Sequence, residues 1–183
     1  TVFVKDAVIG DIVTAKIMKA KKNYGYGRLM EILKPSPYRV ESVCPSARQC
    51  GGCQLQAVSY EEQKVFKEKK LRGHLERIGG FRDLPMEPMI GMDEPYHYRN
   101  KAQFPVGRNK EGRIITGFYA GRTHAIIENR DCALGIPQNK EILDIVIAHM
   151  EKYGIAPYDE MTGKGLVRHI FVRYGFFTGE LMV

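Results

Sequence analysis

The feature that most constrains this chain is the distribution of its four cysteines. Three of them, Cys44, Cys50 and Cys53, lie within ten residues, and the fourth is the distant Cys132. A single Cys-x-x-Cys pair does not match the two paired knuckles of a zinc ribbon. Three thiolates from one loop and a remote fourth suit a cubane iron–sulfur cluster, which takes four thiolates at unequal spacing. The spacing therefore favours a [4Fe–4S] cluster, then structural zinc, then disulfides, and last four unrelated buried thiols.

Two glycines and a proline shape the loop that carries the first three cysteines. Gly51 and Gly52 allow the backbone to curl tightly, so that N–H groups turn toward the sulfur atoms. Pro45 stiffens the chain directly after the first thiol. An idle thiol would need neither glycine, and these residues therefore support a metal or cluster site.

Composition and charge indicate the class of protein and of partner. The chain has 183 residues, of which 44% are hydrophobic, and this suffices to bury a core in one larger or two small domains. No run reaches the roughly 20 apolar residues of a membrane helix, and no signal-peptide layout opens the chain. We therefore expect a cytoplasmic protein with no membrane partner, in which disulfides are disfavoured. The net charge of +7 favours nucleic acid as partner, with a solvated basic surface as the alternative.

The N-terminal segment, residues 1–43, predicts a small β-barrel, because it contains short β-type runs and no helical period. The runs are 2–4, 9–17 and 28–33, and residues 19–27 are expected to form a loop or hairpin tip.

Lysines run directly into tyrosines in that expected loop. Cations beside aromatic faces are the parts of a loop that binds single-stranded RNA. The alternative is an ordinary hairpin tip whose lysines serve solubility. The predicted RNA-binding residues of this segment are Lys16, Lys19, Lys21, Lys22, Tyr24, Tyr26 and Arg28.

A helix is predicted to follow the cysteine loop. Ser59 and Glu62 have the spacing of a capping box, and residues 60–78 contain no proline. Gly79 and Gly80 are expected to end the helix. Its second half carries an apolar stripe, which consists of Leu71, Leu75 and Ile78.

Residues 85–183 predict an α+β domain with an antiparallel sheet. Pro137 suits the first turn of a helix that Gly154 ends. The apolar stripe of this helix is expected to be core, and consists of Ile142, Leu143, Val146, Ile147, Met150 and Tyr153. The predicted strands are 101–106, 114–119, 125–127, 167–174 and 180–183. Further basic residues are predicted to line an RNA groove, with scattered surface cations as the alternative: Arg99, Lys101, Arg108, Lys110, Arg113, Arg122, Arg168 and Arg173.

Two sets of motifs resemble known families. The Phe-Val, Gly-Asp-Ile-Val and Tyr-Gly-Tyr-Gly-Arg-Leu progression within residues 1–43 resembles the TRAM domain, a small RNA-binding barrel of the OB type. Cys44-Pro, Cys50-Gly-Gly-Cys53 and the Tyr-Arg-Asn-Lys-Ala-Gln-Phe run that starts at Tyr98 resemble the iron–sulfur RNA uracil-C5-methyltransferases. Further along the chain, the residues Gly117-Phe-Tyr, His124 and Asp131-Cys132 resemble the segment that leads to the fourth cluster ligand in that family.

The resemblance implies a division of labour along the chain. It implies a partial TRAM barrel at 1–43, a cluster-binding loop and helix at 44–80, and a central domain at 85–183. The implied cluster ligands are Cys44, Cys50, Cys53 and Cys132, and the implied partner is RNA, most specifically 23S ribosomal RNA.

Catalysis in this family needs a cysteine nucleophile and bound S-adenosylmethionine. All four cysteines are used by the cluster, and no glycine-rich cofactor turn follows an apolar strand. We therefore expect no catalytic or S-adenosylmethionine-binding residue in this chain, a fragment that looks trimmed at both ends, and a monomer. S-adenosylmethionine would belong to the full-length enzyme only. The alternatives are a stand-alone RNA-binding iron–sulfur or zinc module and a redox carrier.

Overall fold

The structure, a computed structural model, describes residues 1–183. It has a mixed α+β fold dominated by sheets, and its contacts divide the chain into two compact units. The first unit consists of Thr1–Ser42 and Leu55–Gly91, and the second of Val43–Gln54 and Met92–Val183. The cysteine loop and the helix that follows it, which the sequence groups together, thus lie in different units.

The first unit contains a three-stranded sheet. Its strands are β1 (Val2–Lys5), β2 (Ile12–Ala20) and β3 (Gly25–Lys34), in the order β1-β3-β2. Strand β1 runs parallel to β3, and β2 runs antiparallel to β3 with several shifts of register. All three strands were predicted, and the partial barrel stays a prediction. The expected loop over residues 19–27 was too long, because both strands continue into it and leave only 21–24 as the turn.

The buried carboxylate of Asp11 links the connection between β1 and β2 to the segment that follows β3. The side chain of Asp11 is 1% exposed and accepts hydrogen bonds from the backbone N–H groups of Val8 at 2.7 Å and Ser36 at 2.8 Å. Arg39 donates to both carboxylate oxygens, and its guanidinium also donates to the Asp6 carbonyl at 3.0 Å. The Arg39 hydrogen bonds hold the pKa of Asp11 far below its usual range. Residues 6–11 and 36–39 are thereby fixed to each other.

Helix α1 (Tyr60–Arg77) begins after Ser59, as predicted. The capping box was wrong in its chemistry, because the Ser59 side chain makes no capping hydrogen bond. Its backbone N–H instead donates to the Tyr38 carbonyl at 2.9 Å, so a tertiary contact fixes the start of the helix. The apolar stripe is not buried either, since Leu71 is 49% and Ile78 is 80% exposed.

The second unit is built on a five-stranded antiparallel sheet of order β6-β5-β4-β7-β8. Its strands match the predicted ones closely. They are β4 (Lys101–Arg108), β5 (Ile114–Tyr119), β6 (Ile126–Glu128), β7 (His169–Tyr174) and β8 (Leu181–Met182).

Helix α2 (Asn139–Lys152) covers one face of this sheet and forms the core with it. Phe104 and Leu143 are fully buried there, and Phe104 packs on Phe118 with ring centroids 5.1 Å apart. Pro137 precedes the helix instead of lying in its first turn. Tyr153 was wrongly assigned to the core, because it lies at the C-cap and is 60% exposed. No helix in the structure combines the length and apolar character needed to cross a bilayer.

Removing the Asp11 carboxylate should destabilise the first unit. We expect Asp11→Ala to cost about 3–5 kcal/mol at pH 7, because it leaves the Arg39 charge and two N–H groups without their partner. The pKa of Asp11 is lowered by folding, so its contribution is complete above the ordinary pKa near 4 and is lost as the pH falls below it. Urea unfolding followed by circular dichroism should therefore give curves for wild type and variant that approach each other progressively as the pH falls below about 5.

A matched control is Glu61→Ala, which removes an exposed ion pair with Lys64 in the same unit. This change should leave the free energy of unfolding nearly unchanged, because exposed ion pairs contribute little to stability. Equal stability of wild type and Asp11→Ala at pH 7 would contradict the assigned role.

Candidate functional site

One face of the three-stranded sheet gathers cations and aromatic rings. Tyr26 on β3 pairs with Phe3 on β1 and with Lys19 on β2, and Arg28 pairs with Lys16. Paired residues project from the same side of a sheet, so these five side chains share one surface. We call this surface, together with Lys21, Lys22 and Tyr24 of the adjoining turn, the N-terminal face. The opposite side carries the valines of β1, which pack beside Gly27.

The aromatic part of the N-terminal face is a cluster of three rings. The ring of Phe3 lies 5.8 Å from that of Tyr26 and 6.1 Å from that of Tyr24, and the two tyrosine rings lie 5.7 Å apart. Phe3 is 55% exposed and both tyrosines are about 40% exposed, so the rings present accessible surfaces. Phe3 was missed at the sequence level. The alternation Val-Phe-Val is the signal that would have found it, because the valines point the other way.

The cations around this cluster have no acidic partners. The four predicted lysines of the segment and Arg28 are exposed, and none forms an ion pair. Lys21 and Lys22 lie in the turn, which the Lys21 N–H closes by donating to the Tyr24 carbonyl at 2.8 Å. Their charge is therefore available to an anionic partner beside the rings.

The predicted basic residues of the second unit lie at different points of its sheet. Arg99 and Lys101 lie at the start of β4, whereas Arg168 lies at the far end of the neighbouring strand. Arg122 lies in the turn after β5 with a φ of 63°. The guanidinium of Arg168 is engaged with Glu160 at 2.9 Å. Lys101 and Arg168 thus lie at opposite ends of the β4–β7 pair, and the groove stays a prediction.

A histidine–carboxylate pair lies beside Arg168 and was missed at the sequence level. Nδ1 of His124 lies 2.8 Å from Glu160, and the imidazole stacks on the Tyr119 ring with centroids 4.9 Å apart. The hydrogen bond with His124, followed by that from Arg168, lowers the pKa of Glu160. This arrangement fixes the orientation of the His124 ring at the end of β5.

Backbone contacts attach the cysteine loop to the end of β5. The Gly51 N–H donates to the Tyr119 carbonyl at 3.0 Å, and Cys50 pairs with Ala120 in an antiparallel bridge. A Cβ at Gly51 would lie 3.0 Å from the Gly121 backbone, so these two segments of the backbone approach as closely as glycine allows. Glycine is needed at position 51 because a side chain there would press on the Gly121 backbone.

Two of the thiols accept polar contacts. Cys44 is 8% exposed, and the side-chain amide of the buried Asn129 donates to its sulfur at 3.4 Å. The Gly52 N–H donates to the sulfur of Cys50 at 3.4 Å. Donors of this kind stabilise negative charge on sulfur, as a metal-bound thiolate requires.

Cys132 lies in the same unit as the other three thiols. It follows Asn129 by three residues, and its carbonyl accepts from the Gly135 N–H at 2.9 Å. None of the four cysteines forms a disulfide.

The donor set has the right chemistry for a cluster, because it consists of four thiols in one compact unit with N–H groups directed at two of them. The side chains do not converge as they stand. No group of three or more cysteine, histidine, aspartate or glutamate side chains is arranged to hold a metal ion. The cluster thus stays a prediction.

Comparison with known proteins gives relatives over the whole chain. A Bacillus cereus protein named as an uncharacterized RNA methyltransferase is 45% identical over 182 residues, which is 100% of this chain and 39% of the relative. The chain is similar to RNA methyltransferases. A Clostridium tetani protein of the same name is 44% identical over 100% of the chain and 39% of its own length. The chain thus spans about two fifths of the length of these curated relatives.

A solved structure extends the similarity to the fold. The crystal structure of Pyrococcus abyssi tRNA (uracil-54, C5)-methyltransferase in complex with S-adenosyl-L-homocysteine matches with a TM-score of 0.67 and 25% identity. The match covers 99% of this chain and 40% of that protein. Comparison with protein-family models gives no match.

A methyl group at Gly51 should loosen the cysteine loop. We expect Gly51→Ala to cost about 1–3 kcal/mol locally, because its Cβ would press on the Gly121 backbone. The loop would then open about 5- to 150-fold more often, and the buried Cys44 thiol would react faster with a thiol reagent in the reduced, metal-free protein. Mass spectrometry of the labelled peptides identifies the thiol.

Gly52→Ala is the matched control, since its Cβ would meet only the Cys50 sulfur at an ordinary 3.5 Å. Equal reactivity of Cys44 in the two variants would refute the docking role of Gly51.

Proposed function

We propose that this chain is the RNA-binding and [4Fe–4S]-bearing part of an S-adenosylmethionine-dependent RNA uracil-C5-methyltransferase. The observation that carries the proposal is the similarity to RNA methyltransferases along the whole chain at up to 45% identity. The fold similarity to a tRNA uracil-C5-methyltransferase supports uracil C5 as the methylated position. Catalysis and cofactor binding are assigned to the rest of the longer protein.

The N-terminal face is the proposed RNA contact of the first unit. Its rings offer stacking surfaces for bases, and its lysines and arginine offer positive charge for phosphates. Proteins that bind single-stranded RNA commonly combine these two kinds of contact. The net charge of +7 works in the same direction. We assign the TRAM role to residues 1–43 on this basis.

The cluster is the proposed structural centre of the second unit. Cys44, Cys50 and Cys53 would supply three thiolates from the docked loop, and Cys132 the fourth. A bound cluster would cross-link the loop to the segment before α2. Asn129 and the Gly52 N–H would stabilise the thiolates by donating to them. Zinc on the same thiolates is the alternative.

The proposed substrate is 23S ribosomal RNA, and transfer RNA is the second candidate. The ribosomal assignment depends on the combination of a barrel and a cluster ligand set in one chain. The transfer RNA assignment depends on the substrate of the Pyrococcus abyssi neighbour.

The cluster assignment predicts the metal content of the protein. Purified without oxygen, it should contain about four iron and four acid-labile sulfide per chain, and Cys132→Ser should lose most of both. Ala133→Ser is the control, because it adds a hydroxyl at the next position and keeps every thiol. Stoichiometric zinc without sulfide would contradict the cluster assignment and support a zinc site instead.

The RNA assignment predicts a salt-dependent interaction that the turn lysines carry. Reversing Lys19, Lys21 and Lys22 to glutamate should weaken binding to a uracil-containing 23S hairpin and lower the salt slope by about 2, since each contact on single strands contributes about 0.7. Titration at several salt concentrations measures both, and a transfer RNA is titrated in parallel.

The matched control reverses Lys67, Lys69 and Lys70, which are exposed on α1 in the same unit and give the same change of net charge. Equal losses of RNA affinity in the two triple variants would show that net charge, and not a contact at the N-terminal face, causes the loss.

A further inference from the structure

The second unit carries another accessible face, on the side of its sheet that α2 leaves uncovered. Ala102, Phe104 and Val172 point into the core. The residues that alternate with them point the other way, and the register places Lys101 opposite Arg173 and Gln103 opposite Phe171. We call these four residues the open face. Lys101 and Arg173 among them belong to the basic residues predicted to line an RNA groove, whereas Phe171 was missed at the sequence level.

An aromatic ring flanked by two cations forms the centre of the open face. The ammonium of Lys101 and the guanidinium of Arg173 each lie 5.5 Å from the centroid of the Phe171 ring. Neither cation forms an ion pair, and both are exposed. The cation–π contacts are weak at an exposed site, whereas a hydrogen bond from a cation to a phosphate is charge-assisted. A phosphate chain can therefore draw both cations off the ring and uncover it.

The hairpin beyond Arg173 presents two more rings. Strands β7 and β8 are joined by a turn that the Gly175 N–H closes on the Glu180 carbonyl at 2.8 Å. At its tip Phe176 is 73% and Phe177 is 97% exposed, with the two rings in edge contact at 5.4 Å. Because Arg173 is two residues before this turn, the tip lies at the same end of the sheet as Lys101 and Arg173.

We propose that the open face and the Phe176–Phe177 tip form a second RNA contact, which takes unpaired nucleotides. This inference depends on the RNA-binding function proposed above and adds a site on the second unit to it. Cations without acidic partners favour a polyanion over a protein surface. Exposed rings favour unpaired bases, because bases inside a duplex offer no free π-face while splayed bases stack on aromatic side chains.

The test uses a stem–loop RNA with a uracil-containing loop, and the same strand closed into a full duplex by its complement. Wild type should prefer the stem–loop. Phe171→Leu keeps an apolar side chain and removes the π-face, so it should lower stem–loop affinity about 5- to 100-fold, while Phe171→Tyr should keep it. Phe177→Ser should lower it also, and little packing beyond the edge contact with Phe176 is lost at this 97% exposed position.

Met161→Ser is the matched control for the tip, because Met161 is 95% exposed in the same unit and lies outside the proposed contact. A 2-aminopurine placed in the loop gives a direct readout of stacking. The chain contains no tryptophan, so the optical signal comes from the RNA. Quenching by wild type and Phe171→Tyr but not by Phe171→Leu is the expected result.

Each remaining outcome separates the two proposals. Stem–loop binding by wild type that Phe171→Leu and Phe177→Ser leave unchanged overturns the second contact and leaves the RNA-binding function intact, with the rings then assigned to a protein contact. Equal losses on stem–loop and duplex overturn the choice of unpaired nucleotides. Absence of any RNA binding by wild type overturns the proposed function itself.

Discussion

The alternation of side chains along a β-strand is the constraint on which both units depend. In the first sheet the valines of β1 take one side, and Phe3 is left on the other with Tyr26. In the second sheet Phe104 and Val172 enter the core, so Lys101 and Phe171 must lie on the open face. In the second sheet a register shift of one residue would bury these cations and expose the core, so its buried apolar residues hold the open face in place.

The cysteine site depends on a different kind of contact. Its loop is not packed through large side chains but is hydrogen-bonded through the backbone to the end of β5, where two glycines approach each other. Burial of Cys44 against Asn129 adds a second point of attachment. The same end of β5 carries Tyr119 and the stacked His124, so one strand terminus positions two groups of polar side chains.

The sequence predicted best the elements whose apolar pattern is decided locally. Strand β5 was predicted at its observed bounds, because an apolar run between turn residues leaves little choice. Helix α1 was predicted at its start for a partly wrong reason, since a backbone contact to Tyr38 does what the Ser59 side chain was expected to do. Tyr153 looked like core because it continues the α2 stripe, but the helix ends before it. The Asp11 network and the Phe3 cluster join distant segments, and no local pattern reports such contacts.

The backbone docking of the cysteine loop separates its position from its ligand chemistry. The atoms that attach it to β5 are an N–H, a carbonyl and the glycine Cα, and none of them is a thiol. Replacement of Cys50, whose thiol makes none of these contacts, would leave the attachment to β5 in place, whereas one methyl group at Gly51 would disturb it. The backbone thus fixes where the loop lies, and the side chains of the loop decide which ligands it presents.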